Sequence, residues 1–270
     1  MRALPMLSVA VNGEVRDRAI AFLSSIDAGC AEEIVACPGG HAVTDTRHPA
    51  LWSANHLHVN ADEPPDAAGL HAVAVSHFAR LGFELITVRH ERVARALTTP
   101  LAALGYRPVH ELLMLLGELP VASDAPAPIL EIKPADLEAS RTAAQLEAGR
   151  GAHVGRQLGS RDRLIARIAA QRCFAVVLSG EVVARCQIYS RSRVAQIENV
   201  YTTPAHRGRG LARALLTHAA FAARAAGAEI VFLVTAAEDW PQAFYRRAGF
   251  LDAALLPRFL RTHPAPASCP

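Results

Sequence analysis

The chain of 270 residues has one lysine, Lys133, among 28 basic residues. That imbalance, beside abundant alanine, reads as codon usage rather than a demand for arginine chemistry. No apolar run reaches the roughly 18 residues that a membrane-spanning helix requires. The opening stretch, MRALPMLSVAVNGEVRDRAI, lacks the unbroken apolar core of a secretion signal and is interrupted early by charge. The five cysteines (Cys30, Cys37, Cys173, Cys186 and Cys269) are odd in number and form no CxxC pair, so they read as free thiols in a reducing, cytoplasmic setting rather than a disulfide framework. The formal charge of +3 is small and spread along the chain, which argues against nucleic acid as a partner. Membrane-spanning, disulfide-stapled and nucleic-acid-binding classes thus fall away together.

About half of the residues are apolar (51%), ample for one large core or two ordinary ones. The clearest break is Gly117–Pro128, GELPVASDAPAP, where three prolines and small polar residues interrupt the periodic pattern. Three regions are therefore expected: a first domain at 1–118, a proline-rich linker at 119–128 and a second domain at 129–270. In the second domain the spacing predicts helices over Leu137–Leu146 and Arg161–Ala170. Strands are predicted over Phe174–Leu178 and Val182–Tyr189, joined at Ser179-Gly180, and over Val194–Thr202. An alanine-rich helix at Gly210–Ala226, a buried strand at Glu229–Thr235, a short helix at Trp240–Ala248 and a strand at Phe250–Leu256 follow. Antiparallel strands followed by strand–helix–strand give an α/β fold with a mixed sheet.

The informative feature lies where the strand ending at Thr202 meets the alanine-rich helix. Gly208 and Gly210 let the chain turn tightly and bring several N–H groups toward one point. Those groups sit at a helix N-terminus, where the dipole adds partial positive charge, so a diphosphate is the ligand that uses them best. Arg207 and Arg209 can pair with its oxygens. The short sequence Arg207-Gly208-Arg209-Gly210 also fits a plain glycine turn with solvated arginines. It is not a P-loop, which needs GK[ST], nor a dinucleotide fingerprint, which needs GxGxxG.

The surroundings narrow the choice. Val200-Tyr201-Thr202-Thr203-Pro204-Ala205-His206-Arg207-Gly208-Arg209-Gly210-Leu211-Ala212 closely resembles the central motif of the GNAT superfamily of N-acetyltransferases. Arg207-x-x-Gly210-x-Ala212 fits that family's R/Q-x-x-G-x-G/A. Phe244-Tyr245-Arg246-Arg247-Ala248-Gly249-Phe250 resembles its second signature, LYxxxGF. The resemblance covers roughly 129–260 and departs at Glu238, where many members carry asparagine. It implies a splayed central sheet in which the pantetheine arm of CoA lies like an added strand. Val200, Tyr201 and Thr202 would bind that arm, and the amides of Arg207, Gly208, Arg209, Gly210, Leu211 and Ala212 would take the pyrophosphate. The implied cosubstrate is acetyl-CoA, with no metal. The acceptor amine attacks the thioester directly, without an acyl-enzyme.

Such a reaction needs a route for the amine's proton and a partner for the departing thiolate. The resemblance points to Glu198, two residues before Val200, as the base. A glutamate near pKa 4.3 is a weak base for an amine near 10.4, so burial or a relaying water must assist. A structural Glu198 paired with Arg185, or His206 as base instead, are the alternatives. Tyr245 is the candidate acid. A phenol near pKa 10 and a thiol near 8.5 leave full proton transfer uphill by about 2 kcal/mol, so a hydrogen bond to the thiolate is expected. A Tyr245 merely packed on the sheet is the plain alternative.

The first half repeats the layout of the second. Val59 and Leu70 stand eleven residues apart, as do Val200 and Leu211, and both stretches lead into an alanine-rich helix and then a strand. In that register Asp66 falls at Arg207 and Leu57 at Glu198, and Leu104-Gly105-Tyr106, which mirrors Ala248-Gly249-Phe250, sets Leu101 at Tyr245. Phosphate grip, base and acid are all missing, so a degenerate GNAT-like domain without a CoA site is expected at 1–118. Its scattered histidines, with His56 and His58 on one strand face, lack a compact ligand cluster and carry no zinc expectation. Trp52 and Asn55 read as packing residues before substrate contacts. The expected activity is transfer of acetyl to a primary amine, with a small-molecule acceptor and a monomeric or homodimeric protein. The competing readings are a tandem transferase of a bulkier acyl group, similar to mycothiol-synthase-like or aminoacyl-transferring relatives, and a CoA-binding sensor without turnover.

Overall fold

A computed structural model describes residues 13–119 and 125–263. Cys269 and positions 120–124 of the expected linker lie outside the described residues. In chain order the elements are α1 (Gly13–Cys30), β1 (Glu33–Cys37), β2 (Gly40–Thr44), β3 (His56–Val59), α2 (Ala67–Phe78), β4 (Phe83–Val88), α3 (Glu91–Ala103) and β5 (Arg107–Leu116). They continue with β6 (Leu130–Ile132), α4 (Glu138–Glu147), α5 (Ala152–Ile165), β7 (Ala170–Leu178), β8 (Glu181–Arg191) and β9 (Val194–Thr202). α6 (Leu211–Ala225), β10 (Ile230–Ala236), α7 (Pro241–Arg247) and β11 (Phe250–Thr262) complete the chain. No helix among the described residues is long and apolar enough to cross a membrane. The four described cysteines are free thiols.

The described residues form two compact units, a larger one of 13–26 with 113–254 and a smaller one of 27–112 with 255–263. Each is assembled from two stretches, so neither coincides with a contiguous half of the chain. In the larger unit β6, β7, β8 and β9 pair antiparallel in that order, and β9 pairs parallel with β10 after the α6 crossover. The turn at Ser179 and Gly180 has positive φ at both residues, 50° and 81°, the geometry whose twist suits a two-residue hairpin. α1 packs on this unit through Phe22, whose ring meets that of Phe232 edge-on at 5.6 Å.

β8 shows how the pattern positions the site. Its residues from Val183 to Tyr189 are all buried, and the two faces differ in chemistry. Cys186 faces α6, where its Sγ lies 3.7 Å from the Leu215 carbonyl. Arg185, Gln187 and Tyr189 face α4 and α5 and need polar partners there. Arg185 donates to Ser140 Oγ at 3.0 Å, while Gln187 and the Tyr189 hydroxyl donate to Asp162 at 3.0 and 2.6 Å. Arg141 completes the set by donating to Asp162 and, at 2.9 Å, to the Pro134 carbonyl.

α5 begins at Ala152, well before the expected helix at Arg161, and ends at Ile165. Gly155 and Gly159 make its first half read as irregular. Gly155 serves close packing instead: a Cβ there would stand 2.9 Å from Thr142 Cα, so glycine lets α5 lie against α4. β11 likewise runs to Thr262 rather than Leu256, because Arg258–Thr262 pair with Phe83–Thr87.

The smaller unit repeats the order from β7 onward. β1, β2 and β3 pair antiparallel, β3 pairs parallel with β4 after the α2 crossover, and β4 pairs antiparallel with β11. Leu70, Ala74 and Phe78 of α2 and Val93, Leu97 and Leu101 of α3 form its core with β3 and β4.

The Asp162 carboxylate is the sole acid seen to partner the buried Arg141 guanidinium among the described ion pairs. Asp162→Ala should therefore cost about 3–5 kcal/mol, the range for a buried charge stripped of its partner. Chemical denaturation should show this as a lowered midpoint, and a loss below about 1 kcal/mol would contradict the assignment.

Candidate active site

β9 and β10 share only three residue pairs, Val194–Gln196 against Ile230–Phe232. Beyond them the strands part, and among the described residues the β10-facing edge of β9 from Ile197 to Thr202 has no strand beside it. Inside a sheet, backbone groups left this way need another partner. On the other side β9 stays paired with β8, but Gln187 opposes Glu198 while Arg185 opposes Tyr201, so β9 carries one extra residue. Asn199 takes the strain with φ at +55°. Its amide donates to Gln187 Oε1 at 2.5 Å, and its carbonyl accepts from Arg185 Nη1 at 2.9 Å. Burial, with Arg141 nearby, pushes the Arg185 pKa down to about 10, so this guanidinium still carries its charge at neutral pH. The bulge is thus clamped from beneath by the Arg185–Gln187–Asp162 network.

After Thr202 the chain turns through Pro204–His206 into the glycine loop. Gly208 and Gly210 have φ of +75° and +78°, and Gly210 caps α6 without any side-chain hydrogen bond to the helix start. The first-turn amides of α6 therefore remain directed at the loop's concave side. Arg209 folds back onto the Ala205 carbonyl at 3.0 Å, and His206 Nδ1 meets Thr203 Oγ1 at 2.9 Å.

Gap and loop open into one cleft of about 560 Å³. Of the residues singled out in the sequence, Val200, Tyr201, Thr202, His206, Arg207, Gly208, Gly210, Leu211, Ala212 and Tyr245 line it, while Glu198 and Arg209 do not. Arg213, Trp240, Pro241 and Phe244 also line it and were not anticipated. Phe244 adjoins the tyrosine of the second motif and could have been inferred from that place. Trp240, 72% exposed, carries no periodic signal. The Thr202 hydroxyl is buried in this wall with no hydrogen-bond partner among the described residues.

Tyr245 projects from α7, which is fixed by Arg246 donating to both oxygens of the buried Asp252 at 2.9 and 2.7 Å. Burial raises the phenol's pKa, and the Glu198 carboxylate raises it further. Glu198 and Tyr245 are therefore near enough to sense each other's charge. Glu198 also accepts a hydrogen bond from Gln196 Nε2.

Residues 145–250 match the sequence profile of the Acetyltransferase (GNAT) family. Over that stretch the chain is similar to a GNAT domain. Among solved structures, the chain resembles a functionally unknown conserved protein from Staphylococcus epidermidis, with 11% identity over 87% of this chain and 95% of that one at a TM-score of 0.63. A GCN5-related N-acetyltransferase from Kribbella flavida matches at 15% identity over 96% and 98% of the two chains, with a TM-score of 0.59. A tandem GNAT protein from the clavulanic acid biosynthesis pathway matches at 13% identity over 99% and 100%, with a TM-score of 0.52. At these identities the likeness is one of fold. No curated protein sequence matches the chain.

The smaller unit differs from the larger one at each corresponding point. Asp66 caps α2 and takes the Gly69 and Ala68 amides on its own carboxylate at 2.8 and 3.4 Å, filling the place an anion would use. β3 pairs with β4 from Leu57 through Val59, where the corresponding stretch of β9, Glu198–Val200, has left β10. Leu57 and Leu101, which stand at the positions of Glu198 and Tyr245, are fully buried in the core. The His41 and His58 rings lie 5.0 Å apart, tilted by 33°, and burial followed by His41 lowers the His58 pKa to about 4. No group of three or more metal-ligating side chains occurs among the described residues. Asn55 is buried and braces its own loop, accepting from the Asp45 amide at 2.9 Å and donating to the His48 carbonyl at 3.0 Å. Trp52 lies against Phe83 at 6.1 Å.

The steric room around Gly210 is ample, since a Cβ would meet nothing nearer than Pro126 Cγ at 3.9 Å. The constraint is its backbone conformation. Gly210→Val should therefore distort the loop and weaken, by at least about tenfold, an anion held on the α6 amides, as read by calorimetric titration with CoA. Unchanged affinity would remove the loop from the binding site.

Proposed function

We propose that this chain is an acyl-CoA-dependent N-acyltransferase that moves acetyl from acetyl-CoA to the primary amine of a small molecule within a ternary complex. The observation that carries the reading is the gap between β9 and β10 opening beside the uncapped start of α6. An extended pantetheine arm can supply the missing strand along Val200–Thr202, and the α6 amides can receive the diphosphate. Arg207 is placed to add charge to that grip.

In the reaction the amine, relieved of its proton by Glu198 directly or through water, adds to the thioester carbonyl. The C–S bond then breaks, and the electron pair leaves on sulfur as a thiolate. A phenol whose pKa is raised is a poorer acid than usual, so Tyr245 donates a hydrogen bond to that thiolate and keeps its proton. The smaller unit is read as a degenerate copy without a CoA site of its own, since Asp66 already satisfies the amides that a phosphate would need. The reduced thiols suit a cytoplasmic protein.

Thiol release from acetyl-CoA against a panel of amines tests the activity, and calorimetry should return one CoA site per chain. Tight CoA binding without turnover on any amine would favour a sensor, and two equivalent sites would refute the degenerate copy. Glu198→Gln should retain CoA affinity and lower turnover by about 10² to 10⁴. The activity left should climb with pH as free amine accumulates unaided. Near-normal turnover at neutral pH would return Glu198 to a structural role. Tyr245→Phe should lower turnover by about 10² or more, because one preorganised donor is lost where charge develops. Its CoA affinity should hardly move; a large loss there would instead make Tyr245 a wall of the cofactor groove.

A further inference from the structure

Arg207 is already engaged. Its Nη2 donates to Glu147 Oε1 at 2.5 Å and its Nε to the Thr202 carbonyl at 3.1 Å. The second oxygen of Glu147 accepts the Tyr201 hydroxyl at 2.9 Å. One carboxylate thus ties the end of α4 to two residues of the cleft. Locally it is misplaced: the last turn of a helix carries partial negative charge, which disfavours an acid there. α4 has no basic residue in that turn to offset it. Arg207, 60 positions away along the chain, supplies the offset. The chain turns immediately afterwards, with Gly149 at φ +71°.

We propose that Glu147 is a latch on the phosphate loop, occupying the Arg207 guanidinium in the free protein and giving it up when a diphosphate binds. This rests on reading the cleft as the CoA site. A diphosphate on the α6 amides and the Glu147 carboxylate would compete for one guanidinium and repel each other. The Arg207 hydrogen bond holds the Glu147 carboxyl below the usual range, so it is charged at neutral pH. The two side chains are 52% and 36% exposed. Ion pairs so exposed are weak and screened, which makes this one displaceable. The latch is selective by chemistry, because it opposes the diphosphate end of CoA and leaves the pantetheine arm unopposed. It also releases the Tyr201 hydroxyl and the end of α4 when the loop is filled.

Glu147→Gln keeps the shape and removes the charge. Calorimetric titration of wild type and this variant with CoA and with pantetheine separates the two ends of the ligand. CoA should bind about three- to tenfold more tightly to the variant, while pantetheine binds both alike. In an Arg207→Gln background the gain should vanish, since nothing remains to be released. Unchanged CoA affinity overturns the latch. Weaker CoA binding also overturns it and makes Glu147 a brace that orients Arg207. An equal gain for pantetheine would show a general loosening of the cleft rather than a contest for Arg207. If wild type and variant alike fail to bind CoA, the reading of the cleft falls and the latch falls with it.

Discussion

Two parallel strands that pair for three residues and then separate leave a row of backbone donors and acceptors facing a gap. That is an expensive arrangement inside a sheet unless something holds it open or fills it. In this chain the far side of β9 is held by β8 through the Asn199 bulge. The bulge rests on Arg185 and Gln187, and Gln187 rests on Asp162. The polar face of β8 is thus the foundation of the cleft, although none of these four residues lines it. α6 on the opposite face supplies the apolar support, and its uncapped start supplies the charge. Both faces of one central strand are needed to keep the neighbouring strand apart from β10.

The two units apply the same local rules with opposite results. A helix start offers unsatisfied amides, and something must answer them. In the smaller unit Asp66 answers from within the chain, with the ordinary stability of an N-cap. In the larger unit Gly210 contributes no side chain, so the demand stays open for a ligand. The same contrast runs through the strands. Leu57 and Val59 continue their pairing with β4, while Glu198 and Val200 lie beyond the last pair that β9 makes with β10. A polar or charged residue at such a position has no reason to be buried against a partner strand, and a leucine has every reason.

Local chemistry was the legible part of the sequence. Val194–Thr202 has the bounds expected of it because alternation and flanking turns define a strand's ends. The glycine loop was legible because positive φ leaves few residues to choose from, and the Asp66-for-Arg207 exchange could be seen from register alone. What the sequence hid depends on distant partners. The first half of α5 looks irregular until Thr142 is seen against Gly155. Glu147 looks like any exposed helix residue until Arg207 arrives from 60 positions away. Trp240 and Arg213 join the cleft through the placement of α6 and α7, and their own neighbours in sequence say nothing of it. The extension of β11 needed its partner β4, which no local pattern names.

That last pairing bears on how the chain can be made. Glu84 of β4 and His263 just beyond β11 are bonded at 3.0 Å across 179 positions. Arg258 of the same strand meets Glu111 at 2.8 Å across 147. The smaller unit, whose residues 27–112 are made before most of the larger one, therefore waits for the last described residues before its sheet is complete. Folding from the N-terminus as the chain emerges, the usual course for domains in series, is closed to it. Until then the edge of β4 stands unpaired, a strand surface open to wrong partners. Closing so long a loop slows the search more than it lowers the final stability. Synthesis order and assembly order run in opposite directions here, and a chain cut short before β11 would lose the edge of its first-made sheet.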